Sequence, residues 1–175
     1  MVTKKMALAF LFAAIVAVTS SAQTPSKKSA AMGAGAPTLP GSEQWMDVPA
    51  AAMVGTPSIP VGGTLKVAIL QGDPMTAGRS YVVRVSCTDG SKVAPHTHPA
   101  TENVTVIKGT FLMGMGSKWD DAQLKELPAG SFGSMVSKMS HFAQCKGDSV
   151  VQINGIAPLQ FVFVGSTDTP ATTRH

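Results

Sequence analysis

One stretch decides both the fold and the chemistry of this chain: Gly90-Ser91-Lys92-Val93-Ala94-Pro95-His96-Thr97-His98-Pro99-Ala100-Thr101-Glu102. On an extended strand, residues two apart point to the same face, so His96 and His98 present their imidazoles side by side, with Cα atoms about 6.6 Å apart. Glu102 has the same parity as the valines that follow it, which predicts a carboxylate on an apolar inward face. A buried carboxylate without a partner is costly, so we expect Glu102 to face a cation.

A third histidine, His141, begins another alternating run. Ala143 and Cys145 share its side, so His141 can also point into the interior. Imidazole and carboxylate donors together suit Fe, Mn, Ni, Zn or Cu. The sequence therefore predicts one divalent transition metal, with four candidate ligands: His96, His98, Glu102 and His141.

These residues also have structural interpretations. A single inward histidine is more often a hydrogen-bonded core residue than a ligand, and Glu102 could pair with an Arg or Lys, although Lys108 lies at the far end of its strand. A barrel without metal is therefore an alternative. Four methionines could line a substrate or soft-metal pocket, or could fill irregular apolar gaps, which is the commoner use of this side chain. They are Met113, Met115, Met135 and Met139.

Short apolar runs separated by Gly, Pro and Asp turn residues surround this stretch. Nine strands are predicted, at 65–70, 81–87, 93–98, 102–108, 110–115, 131–136, 141–145, 149–153 and 159–164. Only 120–126 suits a short helical turn. This pattern is typical of an antiparallel sandwich or barrel. Alternation places Val83, Val85 and Cys87 inward and places Arg84 and Ser86 outward.

Composition divides the chain into four parts. Residues 1–22 resemble an export signal, with a basic start, an apolar run and small residues before Gln23. Residues 23–44 form a predicted flexible linker, 45–164 the folded domain and 165–175 a flexible tail. The apolar run is shorter than a bilayer requires, which leaves an uncleaved anchor as the alternative. We predict a periplasmic or secreted protein with no membrane contact after cleavage.

Composition also excludes some functions. The chain has 175 residues, 44% hydrophobic and 14% charged, which suits one domain with a core. Its net charge of +4 falls to +2 without Lys4 and Lys5, and no basic run carries interleaved aromatic residues. Nucleic acid is therefore excluded as a partner. The stretch Gly130-Ser131-Phe132-Gly133 does not match the elbow of a serine nucleophile.

The sequence resembles the cupin superfamily, whose first motif is Gly, five residues, His-x-His, three or four residues, Glu, six residues and Gly. Gly90, His96, His98, Glu102 and Gly109 match every position of that motif. The resemblance covers about 45–164 and implies an all-β domain, the double-stranded β-helix or jelly-roll barrel of two antiparallel sheets. It also implies a metal held by the four residues named above.

The second cupin motif is matched less well. It runs Gly, five residues, Pro-x-Gly, two residues, His, three residues and Asn, and this chain supplies only Gly130 and His141. Val136, Lys138 and Cys145 occupy the Pro, Gly and Asn positions. If the turn keeps the family geometry, Lys138 adopts a positive φ at a cost of about 1 kcal/mol or more. A different turn type would shift His141.

The two cysteines, Cys87 and Cys145, are predicted to form a disulfide, because an exported protein meets an oxidising compartment. If the family topology holds, the turns 88–91 and 146–148 lie at one end of the barrel and both sulfurs point inward. The alternative is two buried thiols with Cα atoms more than about 7 Å apart.

Three functions fit these observations. The first is a mononuclear metal enzyme acting on a small, weakly charged organic substrate, for which the resemblance implies oxygenase, isomerase or lyase chemistry. The second is a non-catalytic module that binds a small ligand or a metal. The third is a structural or stress protein whose barrel binds no metal. The apolar, methionine-rich wall argues against a sugar phosphate, and a homodimer is left open.

Overall fold

Alternating apolar residues and closely spaced turns give the chain a nearly all-β structure. The computed structural model describes residues 37–60 and 62–165. The predicted signal peptide, the linker up to residue 36 and the tail after residue 165 lie outside the described residues. Within them lie ten strands: β1 (Met46–Asp47), β2 (Met53–Val54), β3 (Leu65–Gln71), β4 (Ser80–Cys87), β5 (Lys92–Thr97), β6 (Glu102–Met115), β7 (Lys125–Pro128), β8 (Phe132–Met135), β9 (His141–Ile156) and β10 (Phe161–Phe163). Two short 3-10 helices span Ala50–Ala52 and Asp121–Gln123. No helix in the described ranges is long and apolar enough to cross a membrane.

The strands form one continuous curled sheet. Its order is β1-β3-β4-β9-β5-β10-β2, and β6 pairs with β7, β8 and β9. The 14 residues of β6 and the 16 residues of β9 pair antiparallel along most of their length. Where two sheets were predicted, pairing of these long strands joins all ten strands into one curled jelly-roll sheet.

The longest strands differ from prediction because glycines interrupt pairing without ending it. The two runs predicted on either side of Gly109 form the single strand β6, with one register shift at Ile107 and a second at Gly109, whose φ is 75°. A bulge at a glycine lets pairing resume beyond it. The helical turn predicted at 120–126 is wrong beyond Gln123, since Lys125–Pro128 pairs with β6 as the edge strand β7.

The inward faces follow the predicted alternation. Val83 and Cys87 are buried, and Val85 packs against the core. Arg84 points outward, but the chain preceding β1 covers it. Its guanidinium pairs with the Glu43 carboxylate, and the two side chains are only 16% and 8% exposed. Phe142, placed on the outer face by alternation, is also buried, because the Trp119 ring packs against it at 4.9 Å between ring centroids.

The segment 46–54, called the strap below, links the two ends of the strand order. Its first strand, β1, pairs antiparallel with β3, and its second strand, β2, pairs parallel with β10. The 3-10 helix between them buries Ala52. The strap therefore runs from one edge of the curled sheet to the other.

The conditional predictions of the disulfide and of the Lys138 conformation are confirmed. Cys87 and Cys145 form a disulfide, with Cα atoms 6.3 Å apart. Residues 146–148, predicted as a turn, instead continue β9, and they lie beside the turn after β4, since the Gly90 N–H donates to the Cys145 carbonyl at 2.9 Å. Lys138 adopts a φ of 64°, so the turn before His141 keeps the left-handed conformation that the motif assigns to glycine.

Candidate metal centre

All four predicted ligands lie together inside the barrel. His96 is on β5, His98 follows the end of that strand, and Glu102 and His141 are the first residues of β6 and β9. Pairing of β5 with β9 sets His96 directly opposite His141. Each of the four residues is at most 4% exposed. The structure therefore brings together residues that are up to 45 positions apart in the sequence.

The three imidazoles are held in the same tautomer by the backbone. The Nδ1–H of His96 donates to the Ala94 carbonyl at 2.7 Å, and that of His98 donates to the Gln160 carbonyl at 2.7 Å. The Nδ1–H of His141 donates to the Met139 carbonyl at 3.0 Å. A neutral imidazole that donates through Nδ1 carries its free lone pair on Nε2.

The free nitrogens converge beside the carboxylate. One donor atom from each of His96, His98 and His141 lies within 4.8 Å of the others. The Glu102 Oε2 atom is 3.2 Å from His98 Nε2 and 3.6 Å from His141 Nε2. Such a cluster of three neutral nitrogen donors and one carboxylate can hold a divalent transition metal.

The hydrogen bonding of the four side chains tests whether they suit a metal ion. Within the described part of the chain, the buried Nε2 of His98 has no hydrogen-bond partner. With Nδ1 protonated, this nitrogen directs a lone pair toward the Glu102 carboxylate, so two acceptors face each other. A proton would satisfy one of the three imidazole nitrogens, whereas a divalent cation satisfies all three and the carboxylate together. The residues fit a metal.

The electrostatics of the cluster also favour the metal-binding protonation states. Burial lowers the pKa of His96 well below its ordinary value, and the neighbouring His141 and His98 lower it further. Burial alone would raise the pKa of the Glu102 carboxyl, but hydrogen bonds from the imidazoles of His141 and His98, made when their Nε2 atoms carry a proton, hold that pKa well below its ordinary value. His96 is therefore neutral and Glu102 ionised near neutral pH, the forms in which both groups bind metals.

Three residues around the centre escaped the sequence analysis. The Phe161 ring packs 5.1 Å from the His96 ring and 5.2 Å from the His98 ring. Tyr81, Gly155 and Glu102 lie in one cross-strand row, and a Cβ on Gly155 would come within 3.0 Å of the Tyr81 hydroxyl. Only the strand register reveals this row. The nearby carboxylate adds to burial in raising the pKa of Tyr81.

A cavity of about 80 Å³ adjoins the centre. His96, Glu102 and His141 line it, and the other lining residues are apolar, the disulfide-bonded Cys87 included. Of the four methionines singled out from the sequence, only Met113 contributes to the lining. Three further methionines line it from the strap and the loop after β3: Met46, Met53 and Met75.

Comparison with known proteins shows which solved structures share this fold. No protein-family model matches the sequence, and no curated protein matches it. The putative acetylacetone dioxygenase from Methylibium petroleiphilum PM1 is a similar solved structure, with 22% identity and a TM-score of 0.52 over 73% of this chain and 79% of that chain. An RmlC-like cupin from Shewanella frigidimarina NCIMB 400 has 18% identity and a TM-score of 0.49 over 68% and 87% of the two chains. KdgF from Halomonas sp. has 16% identity and a TM-score of 0.47 over 68% and 93%.

This chain has the cupin fold. The resemblance found in its first motif and the architecture of its barrel agree on that point. At these identities the likeness concerns the fold, so the chemistry has to be argued from the residues of the site.

Proposed function

We propose that this cupin is an exported, mononuclear divalent-metal enzyme that acts on a small, weakly charged organic substrate by oxygenase, isomerase or lyase chemistry. One observation carries the proposal. Three buried imidazoles donate their Nδ1–H groups to backbone carbonyls, which leaves three Nε2 lone pairs directed at one point beside Glu102. This point lies on the wall of an apolar cavity.

Each group then has a defined role. His96, His98 and His141 would bind the metal through Nε2, and Glu102 would supply the negative charge that offsets part of the metal's charge. The backbone carbonyls that accept from Nδ1 fix the imidazole orientations, as outer partners of metal ligands commonly do. A divalent metal held there supplies Lewis acidity or a binding position for dioxygen. The apolar wall excludes water and orients the organic molecule.

Two observations support export. Residues 1–22 have the pattern of a cleaved signal, and the disulfide between Cys87 and Cys145 suits an oxidising compartment such as the periplasm or the exterior.

A non-catalytic metal-binding or ligand-binding module is the second candidate, and one observation favours it. Among the described residues that line the cavity, the only titratable ones are His96, Glu102 and His141. If all three bind the metal, no side chain of the cavity wall remains to act as a separate general acid or base. Reactions that need such a group are therefore disfavoured relative to binding or to oxygen chemistry.

Metal analysis of protein purified without chelator tests the proposal. We expect about one divalent transition metal per chain, and its loss in a variant carrying both His96→Ala and His98→Ala. Thr97→Ala is the matched control, because Thr97 lies between the two histidines on the opposite face of β5. Unchanged metal content in the double variant would show that the metal lies elsewhere.

Activity is then measured with the identified metal, in an oxygen-uptake assay with a panel of small neutral metabolites. Oxygen uptake is the first activity to test because the similar Methylibium structure is that of a putative acetylacetone dioxygenase. Substrate-dependent uptake, isomerisation or cleavage supports the enzyme. Tight metal binding with no turnover of any compound supports the non-catalytic module.

A further inference from the structure

The strap forms one wall of the cavity beside the metal centre. Met46, Val48, Ala52 and Met53 of the strap line the same space as His96, Glu102 and His141. Pairing with β3 at one end and β10 at the other fixes the strap across the sheet edges. The two cupin motifs lie outside this segment.

The wall chemistry restricts what can occupy the cavity. The polar groups lie at the metal centre, and the strap and the β10 aromatics present only aliphatic, thioether and aromatic surface. A second charged group placed against that surface would lose its hydration without gaining a partner, which costs several kcal/mol. A hydrocarbon body gains about 0.8 kcal/mol per buried methylene, which corresponds to about a fourfold change in affinity.

The cavity volume restricts the length of that body. An engineered protein cavity of about 150 Å³ accommodates benzene, with six carbons. The cavity of about 80 Å³ here has roughly half that size. It therefore has room for roughly three or four carbon atoms beyond the group at the metal.

We infer that the ligand of this site has a single polar end, directed at the metal centre, and an uncharged hydrocarbon body of roughly three or four carbons whose length is limited by the strap. The inference rests on the proposed function for the polar end. It goes further in naming the substrate class and the residues that select it.

Ala52 and Ala51 provide a matched pair for testing the strap. Both belong to the same 3-10 helix, but Ala52 is 5% exposed and lines the cavity, whereas Ala51 is exposed and does not line it. A larger side chain at Ala52 shortens the space, and the same change at Ala51 adds bulk only to the solvent side. Met53 is paired with Phe161 and offers the opposite change, since truncating its side chain lengthens the space.

The probes are straight-chain monocarboxylates from acetate to heptanoate, titrated into Co²⁺-loaded protein and followed by the visible absorption of the metal. Dicarboxylates of equal chain length are the charge control, since both series offer the metal the same head group. We expect monocarboxylate affinity to rise about fourfold per methylene and then fall once the cavity is full. Dicarboxylates should bind about 100-fold more weakly than monocarboxylates of the same length.

The variants locate the length limit. Ala52→Val should weaken the best-binding monocarboxylate about tenfold, and Ala51→Val should leave the whole series unchanged. Met53→Ala should move the optimum to a longer chain by one or two methylenes. Bound cobalt and the circular dichroism spectrum are measured for each variant, which separates a change of cavity length from loss of the metal or of the fold.

Failure of the inference and failure of the proposed function give different results. Flat affinity along the monocarboxylates, equal binding of dicarboxylates, or equal effects at Ala51 and Ala52 would overturn the inference while the metal stays bound. If Co²⁺ does not bind, the proposed function is wrong. Calorimetric titration of the metal-free protein with neutral alkanols then tests whether the cavity selects a hydrocarbon body of limited length. The same length optimum and the same Ala52→Val effect are expected without a metal.

Discussion

The segments 90–109 and 130–145 both deliver ligands to the metal centre, but they keep very different amounts of the cupin pattern. The first retains every motif position, including His96, His98 and Glu102. The second retains only Gly130 and His141. The structure nevertheless places the His141 Nε2 atom 3.6 Å from Glu102, nearly as close as the corresponding atom of His98 at 3.2 Å.

Contacts between the two segments explain how the second one keeps its geometry. The Lys138 N–H donates to the His98 carbonyl at 2.9 Å, and the Ser137 hydroxyl donates to the Pro99 carbonyl at 2.7 Å. At the far end of the segment, Cys145 is joined to Cys87. The position of His141 is therefore set by bonds on both sides of it, and Lys138 is held at a positive φ that a lysine does not favour. A degraded motif can still form a complete site where neighbouring segments hold its backbone.

Removing the disulfide should produce the largest effect. The bond closes a separation of 58 residues, which stabilises the fold by about 4 kcal/mol in the chain-entropy model. We expect the variant carrying both Cys87→Ala and Cys145→Ala to lose about that much free energy of unfolding in denaturant titrations. Wild-type protein unfolded under a reductant is the control, because it keeps both sulfur atoms. A loss below about 1 kcal/mol in both samples would show that the second segment does not depend on this anchor.

Single ligand removals test whether the two segments contribute equally to the centre. His98→Ala and His141→Ala should each weaken metal binding about 100-fold or more, as expected when one of four ligands is lost. Competition with a chelator of known affinity measures both constants. If His141→Ala binds metal as tightly as the wild type while His98→Ala does not, the centre is built by the first segment alone.

Much of this comparison was available from the sequence, because period-two alternation and motif spacing are local properties. They identified the inward parity of Glu102 and the strand that carries His96, whereas the left-handed Lys138 followed only if the turn kept the family geometry. The Cys87–Cys145 bond required the additional assumption of the family topology. The sequence predicted most of the strands but not their bulges and ends. Gly109, for example, interrupts the alternation, but pairing with β9 continues on both sides of it.

The rest of the site could not be predicted, because it depends on register between distant strands. Phe161 touches two imidazoles only because β10 pairs with β5, and Tyr81 meets the Glu102 row only across Gly155 on β9. The strap carries no motif, and its place on the cavity wall follows from pairing with both sheet edges. Such contacts join residues that are far apart in the sequence, so no periodic pattern of residues predicts them.

Two glycines at positive φ, one from each motif, show how backbone contacts change the cost of a side chain. At Gly109 (φ 75°) a Cβ would lie 2.6 Å from the Asp148 carbonyl oxygen, whereas at Gly130 (φ 90°) it would have no neighbour within 4 Å. Gly130→Ala should therefore cost about 1 kcal/mol from backbone conformation alone. Gly109→Ala should cost about 2–4 kcal/mol, since the clash adds to it. Equal losses in thermal or denaturant unfolding would show that the bulge in β6 relaxes around the added methyl.

Lys138 is the converse case, a non-glycine residue where the motif has glycine, and its replacement should give the smallest effect. Lys138→Gly removes the penalty of a β-carbon at φ 64°, but it also gives the unfolded chain more freedom. The expected net result is a gain of a few tenths to about 1 kcal/mol in the free energy of unfolding, with metal content unchanged. Lys138→Ala is the control, because alanine keeps the β-carbon and the strain while removing the exposed amine, and we expect it to match the wild type. A clear loss of stability in Lys138→Gly, with Lys138→Ala neutral, would mean that the turn is not strained and that the contacts to His98 and Pro99 hold His141 without opposing any backbone preference.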